Sequence, residues 1–433
     1  MSTQKTNWLP IAMMILLFGM IGFVTNIAAP AGAIWMGQYE GSNAIGMLGN
    51  MMNFLAYLVM GIPAGLLLQR LGYKSTALTG IAVGFFGVGI QFISGQFTGD
   101  AGLVIYLIGA FVAGFSMCIL NTVVNPMLNE MGGGGKKGTS LLMVGGSFNS
   151  LLGTIAPVFV GALIGSVVTQ SMSADPASEF YGSSVTVFSD INLVLYIAMA
   201  IFAVVGIVLA LSDIPEPEVD RTIADKSPWE YRHFVLGAIA IFIYVGVEVG
   251  IPATLNFFLQ NLPEGALLPA QAGTVAATYW FLMLIGRLAG IGIAARVDSK
   301  KLLAVASSIG LVLVAIGMLM PTSILISMPV FSEFSFTMQE VPINALFFVL
   351  VGLCTSVMWG GIFNLAVAGL GVAVKRASGI FMMMVVGGGV LPLLQAGIVN
   401  LSGNYIISYI VPLLGLAYLL YYALVGSKNV NQK

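Results

Sequence analysis

Charged side chains are scarce in this chain. They make up 8 % of its 433 residues, against 58 % hydrophobic. A soluble globular chain is about a quarter charged, so no water-soluble fold of this length hides so much apolar surface, and the class is integral membrane. Cysteine is almost as rare. Cys118 and Cys354 both sit within apolar runs and read as small packing residues, which excludes a disulfide framework. The single histidine, His233, stands at the edge of an apolar run and cannot form a His-based metal site alone. The net charge of −1 offers no field for nucleic acid. No nucleophile triad or metal-ligand cluster is present, so an enzyme is not indicated and no cofactor is expected. The glycines at 132–135, followed by Lys136 and Lys137, lack the spacing of a phosphate-binding loop and no soluble β/α unit follows them.

What the chain has in abundance is long apolar runs. A membrane-crossing helix needs about 20 mostly apolar residues. About twelve such segments can be read, at 10–36, 43–68, 75–96, 102–130, 138–166, 190–212, 234–260, 268–295, 301–320, 343–370, 376–400 and 404–426. Runs this long and unbroken exclude a β-barrel, whose strands alternate every second residue. The first run reaches to about Trp35, longer than the ~7–15 apolar residues of a signal-peptide core, and reads as a retained span. The fold class is therefore an all-α integral membrane protein with twelve transmembrane helices.

The basic residues sort onto alternate connections. Lys5 precedes span 1, Arg70 and Lys74 follow span 2, and Lys136 and Lys137 follow span 4. Arg221, Lys226 and Arg232 follow span 6, and Arg296, Lys300 and Lys301 follow span 8. Lys375 and Arg376 follow span 10, and Lys428 and Lys433 follow span 12. The positive-inside rule then puts both termini in the cytoplasm of a multi-pass protein of the cytoplasmic (inner) membrane. The stretch 213–233, rich in proline and charge, reads as a cytoplasmic linker between an N-terminal six-helix half, 1–212, and a C-terminal six-helix half, 234–433. The longer outer connections, 169–190 and 321–341, are polar and acidic and carry no strong fold signal.

Polar side chains inside the apolar runs carry the functional signal. A polar group in hydrocarbon without a partner costs a few kcal/mol, so such groups face other helices or a watery cavity. Between Gly114 and Pro157 lie Asn121, Asn125, Asn129, Ser147, Asn149 and Ser150. Asparagine both donates and accepts, which suits a neutral polyol, and aromatic faces pack against the apolar faces of a sugar ring. The candidate substrate-binding residues are Asn26, Asn121, Asn149, Asn256, Trp280, Trp359 and Asn364, with Asn53 weaker. Each competes with a plainer role as interhelical glue, worth about 0.6 kcal/mol per bond. Asn125 precedes Pro126 and reads as a partner for backbone groups loosened at a kink. Glu248 is the acid well inside a span and the candidate coupling residue, able to take a proton or to bind Na⁺. Its competing role is an internal salt bridge to Arg287, which requires the helices to bring different depths together.

Several stretches resemble the fucose–galactose–glucose symporter family of the major facilitator superfamily. Leu120-Asn-Thr-Val-Val-Asn-Pro126 is similar to the family's LETAANP, and Ser147-Phe-Asn-Ser150 to its TFNS. The turn from Pro63 to Lys74, Tyr244–Gly250, Ile285–Leu288, Ile362–Phe363 and Val386–Pro392 match in order. The resemblance implies two parallel six-helix halves around a central site that alternates between the two sides. It also implies sugar transport. The proton-coupled pattern carries acids in spans 1 and 4, where this chain has Ala29 and Asn121; the family glutamine in span 5 is Gly146 here, and the span 10 tyrosine is Trp359. The sugar reading survives those changes and the inherited proton mechanism does not. The expected function is transport of a hexose or related sugar by alternating access, coupled to Na⁺ or H⁺. Uniport, or transport of a non-sugar solute such as a drug or nucleoside, are the alternatives. The expected partners are a small-molecule sugar and the lipid bilayer, with no oligomer implied.

Overall fold

The computed structural model describes residues 8–39, 43–132, 135–171, 191–214, 227–263, 265–294, 296–332, 335–370 and 373–428. The helices are α1 (Trp8–Gln38), α2 (Asn43–Ser94), α3 (Gly99–Met131), α4 (Gly135–Ser171), α5 (Asn192–Leu211), α6 (Arg232–Gln260), α7 (Pro269–Ala294) and α8 (Ser299–Leu319). A hairpin, β1 (Leu325–Ser332) and β2 (Ser335–Pro342), follows. The chain ends in α9 (Asn344–Thr355), α10 (Met358–Val367), α11 (Val374–Met383), α12 (Gly387–Ser402), α13 (Tyr405–Ser408) and α14 (Ile410–Tyr421).

Helices dominate for a physical reason. Hydrocarbon offers no hydrogen-bond partner, so each crossing must satisfy its backbone within itself. Among the described residues, ten helical stretches are long and apolar enough to cross a membrane. One of them, α2, spans 52 residues, about 78 Å at 1.5 Å per residue, against a hydrocarbon core of about 30 Å. It is two crossings joined at Gly72, whose backbone at φ 79° lies in the region that glycine enters freely. Those two crossings and α4, whose apolar stretch includes Ser140–Ala156, complete the twelve expected.

The tenth, eleventh and twelfth crossings are interrupted rather than continuous. The break between α9 and α10 falls at Ser356–Val357, and a 3-10 turn, Met384–Val386, separates α11 from α12. The linker differs from expectation at its end: α6 already begins at Arg232, after a short 3-10 turn at Pro228–Glu230. Residues 215–226, which hold Arg221 and Lys226, lie outside the described residues, as do Lys5, Lys433 and most of the connection 169–190.

The connection at 321–341 corrects the sequence reading. Where the sequence carries no strong fold signal, 325–342 forms an antiparallel hairpin with Leu325 opposite Pro342 and Ser332 opposite Ser335. The strands are rich in β-branched and aromatic residues, which fit a pleated surface. They bury Met328, Val330 and Val341 against the helix ends. Strand β1 packs on α7 and α4.

The helices approach closely where glycine removes the side chain. A methyl group at Gly22 of α1 would collide with the backbone carbonyl of Asn149 on α4. One at Gly387 of α12 would collide with that of Phe242 on α6. Small residues at such crossings are the usual device of membrane bundles. Two side chains bind across more distant elements. Asn50 of α2 donates to the Gly388 carbonyl of α12 at 2.9 Å. Pro392, four residues on, has no N–H to satisfy that carbonyl. Tyr39 donates to Asp100 at 2.7 Å, tying the end of α1 to the start of α3, and the neighbouring carboxylate holds the phenol above its ordinary pKa.

Candidate functional site

A central cavity of about 130 Å³ lies among α1, α2, α3, α4, α6, α7, α10 and the turn before α12. A single water needs about 10–15 Å³ on this measure, so the space admits a small solute rather than an isolated water. Its wall combines Asn26, Tyr57, Asn121, Asn125, Asn149 and Glu248 with Arg287, Trp280 and Trp359. Phe18, Phe54, Leu142, Met143 and Val245 supply apolar surface. The mix is that of a small-molecule site, mostly apolar with a few convergent polar groups.

Each amide nitrogen is held by a carbonyl or hydroxyl of its own helix or a neighbouring one. Asn26 donates to the Gly22 carbonyl one turn earlier at 2.8 Å. Asn121 donates to the hydroxyl of Tyr57 at 2.8 Å and to the Met117 carbonyl at 3.1 Å. Asn125 donates to the Asn121 carbonyl at 2.8 Å and to its side-chain oxygen at 3.3 Å, so it serves the helix and also lines the cavity. Asn149 donates to the Phe18 carbonyl of α1 at 3.1 Å. Each Nδ2 is therefore committed to protein. Among the described residues, the side-chain oxygens of Asn26 and Asn149 carry no hydrogen bond, which leaves acceptors on the lining.

The charged pair forms the opposite wall. Arg287 Nη2 donates to Glu248 Oε1 at 3.3 Å, and both side chains are about nine-tenths buried. The contact that required α6 and α7 to match different depths is thus made. Tyr244 donates to the same Oε1 at 2.9 Å. Arg287 Nη1 donates to the Gly146 carbonyl and, at 2.8 Å, to Ser150 Oγ. Tyr279 pairs with Thr355 Oγ1 at 2.8 Å behind the pair. Trp359 stands edge-on to Tyr244 and Phe381 at 6.2 and 5.8 Å, and Trp280 edge-on to Tyr279 at 5.6 Å. Among the described residues Glu248 and Arg287 are the charged groups on this lining, and no group of side chains there could hold a metal in the ordinary multi-ligand way.

Two sequence candidates fall elsewhere. Asn256 is buried on α6, about 12 Å along the axis from Glu248 at 1.5 Å per residue. Its side-chain oxygen accepts from Gln260 at 3.1 Å, and it is not on the cavity wall. Asn364 of α10 is likewise off the wall, which α10 reaches instead through Trp359 and Gly360. Asn53 is buried with its backbone against Gly114 of α3 and does not line the cavity. Of the residues not picked out, Tyr57 and Thr25 are on the wall, and Tyr57 had a signal: a hydroxyl amid the apolar residues of the second span.

No protein-family model matches the chain. It is 29 % identical to a glucose/galactose transporter of Brucella abortus (strain 2308), over 99 % of this chain and 96 % of that protein. It is also 29 % identical to a putative glucose/galactose transporter of Helicobacter pylori (strain J99 / ATCC 700824), over 98 % and 99 %. The L-fucose-proton symporter of Escherichia coli (strain K12) is 24 % identical over 87 % and 84 %. Among solved structures, the E. coli fucose:proton symporter superposes with a TM-score of 0.70 at 21 % identity, over 97 % of this chain and 98 % of that one. A major facilitator superfamily transporter in the outward conformation gives 0.69 at 19 %, over 97 % and 99 %. With twelve crossings among the described residues, the chain has the fold of these major facilitator transporters, and it is similar along nearly its whole length to transporters named for glucose and galactose.

Proposed function

We propose that the protein carries a hexose or closely related sugar across the cytoplasmic membrane by alternating access, in symport with H⁺ or Na⁺. The observation that carries this reading is the composition of the cavity wall: neutral amides and a phenol from α1 to α4, and indoles from α7 and α10. A pyranose has hydroxyls to donate into the free oxygens of Asn26 and Asn149 and an apolar face to lay on Trp280 or Trp359. The relatives named for glucose, galactose and fucose support the same substrate class. Within this reading Asn26, Asn121, Asn149, Trp280 and Trp359 bind the sugar, while Asn256 and Asn364 keep the helices packed.

Coupling falls to Glu248. An acid at the span 1 and span 4 positions of the proton-coupled pattern is missing here, where Ala29 and Asn121 stand. Glu248 is the acid left on the described wall, and a symporter needs one group that changes its interactions when the ion arrives. A proton fits better than Na⁺, because a cation would compete with Arg287 for the carboxylate at close range. The fucose-proton relative supports the proton as well. The six helices of 1–212 and those of 234–433 are the two rocking bodies, joined by 213–233 on the cytoplasmic side, where both termini lie.

The test is transport by the purified protein in proteoliposomes under imposed gradients. Accumulation of a hexose driven by an inward pH gradient, lost in Glu248→Gln while sugar exchange continues, is the expected result. Drive by Na⁺ alone would reassign the ion, and exchange without accumulation under either gradient would make the protein a uniporter. No exchange of any hexose would end the sugar reading.

A further inference from the structure

We infer that Arg287 is a latch between the two rocking bodies and that Glu248 sets whether the latch is closed. The inference rests on the alternating-access reading but on no particular substrate. Arg287 of α7 holds two neighbours with two nitrogens. Nη1 donates to the Gly146 carbonyl and to Ser150 Oγ at 2.8 Å, both on α4. Nη2 donates to Glu248 Oε1 at 3.3 Å on α6. Helix α4 belongs to the first body, α6 and α7 to the second. One guanidinium therefore closes the seam between bodies with one end and is anchored within its own body by the other.

The surroundings are shaped for this side chain. A methyl group at Gly146 would stand 3.3 Å from Nη1, so glycine there leaves the room that Arg287 fills. One turn further along α7, a methyl group at Gly290 would collide with Val357 of its own body and stand only in ordinary contact with Met143 of α4, at 3.8 Å. Glu248 is itself steadied by Tyr244 at 2.9 Å. The other groups facing the pair are Tyr279 of α7 and Thr355 of α9, bonded to each other, and Trp359 of α10. None of them brings a second charge.

Among the described residues, the seam between α2 and α12 carries no ion pair. Asn50 of α2 donates to Gly388 of α12, an uncharged bond to a carbonyl that Pro392 leaves unserved. The two seams therefore respond differently. Whatever takes Glu248 away from Nη2, whether a proton, a cation or a solute hydroxyl, frees Arg287 to swing from α4, while the Asn50 bond is untouched. A planar fork holds donors toward both sides in a fixed geometry, whereas a lysine ammonium gathers its three donors at one point on a flexible stem and holds that geometry poorly. Arg287 is thus a positioning residue acting through the seam.

Hydrogen–deuterium exchange on the purified full-length protein tests this without substrate. In Arg287→Lys, exchange should rise about fivefold or more in 140–147 and 287–294, and fall in 152–160 and 269–277 as the other end closes. Glu248→Gln should give the same reciprocal pattern. The double variant Glu248→Gln/Arg287→Gln, which leaves no buried charge unpaired, should match the single variants rather than exceed them. Asn50→Ala should leave 140–147 unchanged. A rise at both ends of α4 and α7 would mean plain loosening and would overturn the latch. So would wild-type exchange in Glu248→Gln. Because sugar uptake is not read, a wrong substrate leaves the outcome intact.

Discussion

Asn121 ties the cavity wall to itself. Its amide serves Tyr57 and its own helix, and its oxygen receives Asn125. Removing it leaves the buried Tyr57 hydroxyl short of a partner, at a cost of about 1–3 kcal/mol. Asn121→Ala is expected to stay in the membrane at reduced thermal stability and to lose most hexose uptake, measured per amount of protein in the bilayer. The charged pair follows a different rule. Breaking a buried pair on one side costs about 3–5 kcal/mol, because a lone charge remains in low dielectric, whereas removing both charges costs far less. The melting temperature in detergent should therefore fall sharply in Arg287→Gln and recover in Glu248→Gln/Arg287→Gln. Equal losses in both would show that the pair is not the stabilising unit.

At the scale of elements, helix existence was legible and helix contact was not. Length and hydropathy alone marked the crossings, since twenty apolar residues in a row have one stable form in a bilayer. The turn at Gly72 was legible because Arg70 and Lys74 flank it. The hairpin at 325–342 was hidden because its alternation is interrupted by Pro329, and its burial comes from helix ends that lie far off in sequence. Which face of a helix meets the cavity was hidden as well: Asn256 and Asn149 look alike in sequence, yet one bonds Gln260 and the other lines the wall. Close contacts make a sharp prediction. Gly22→Ala drives a methyl group into the Asn149 carbonyl, and overpacking of this kind costs about 1–3 kcal/mol. It should push α1 from α4, carry the Asn149 amide out of reach of Phe18, and depress hexose affinity more than maximal rate. An unchanged Michaelis constant would separate that contact from the site.

For the molecule as a whole, polar residues stranded in oil were the informative feature. They pointed to a cavity from sequence because their cost has to be met somewhere, and five of the seven named substrate candidates line the central cavity. The union of Arg287 with both Glu248 and α4 was out of reach, since it depends on the relative depth of three helices. The central claim is that these amides bind a hydroxyl-rich solute. Ligand-induced thermal stabilisation measures it most directly, because a ligand that binds only the folded state raises the melting temperature with its concentration. Across a panel of hexoses, nucleosides and cationic drugs, at least one hexose should stabilise the wild-type protein. That shift should vanish in Asn121→Ala and Asn149→Ala and persist in Asn256→Ala. A hexose shift of the same size in all three variants, or stabilisation by nucleosides or drugs alone, would contradict it.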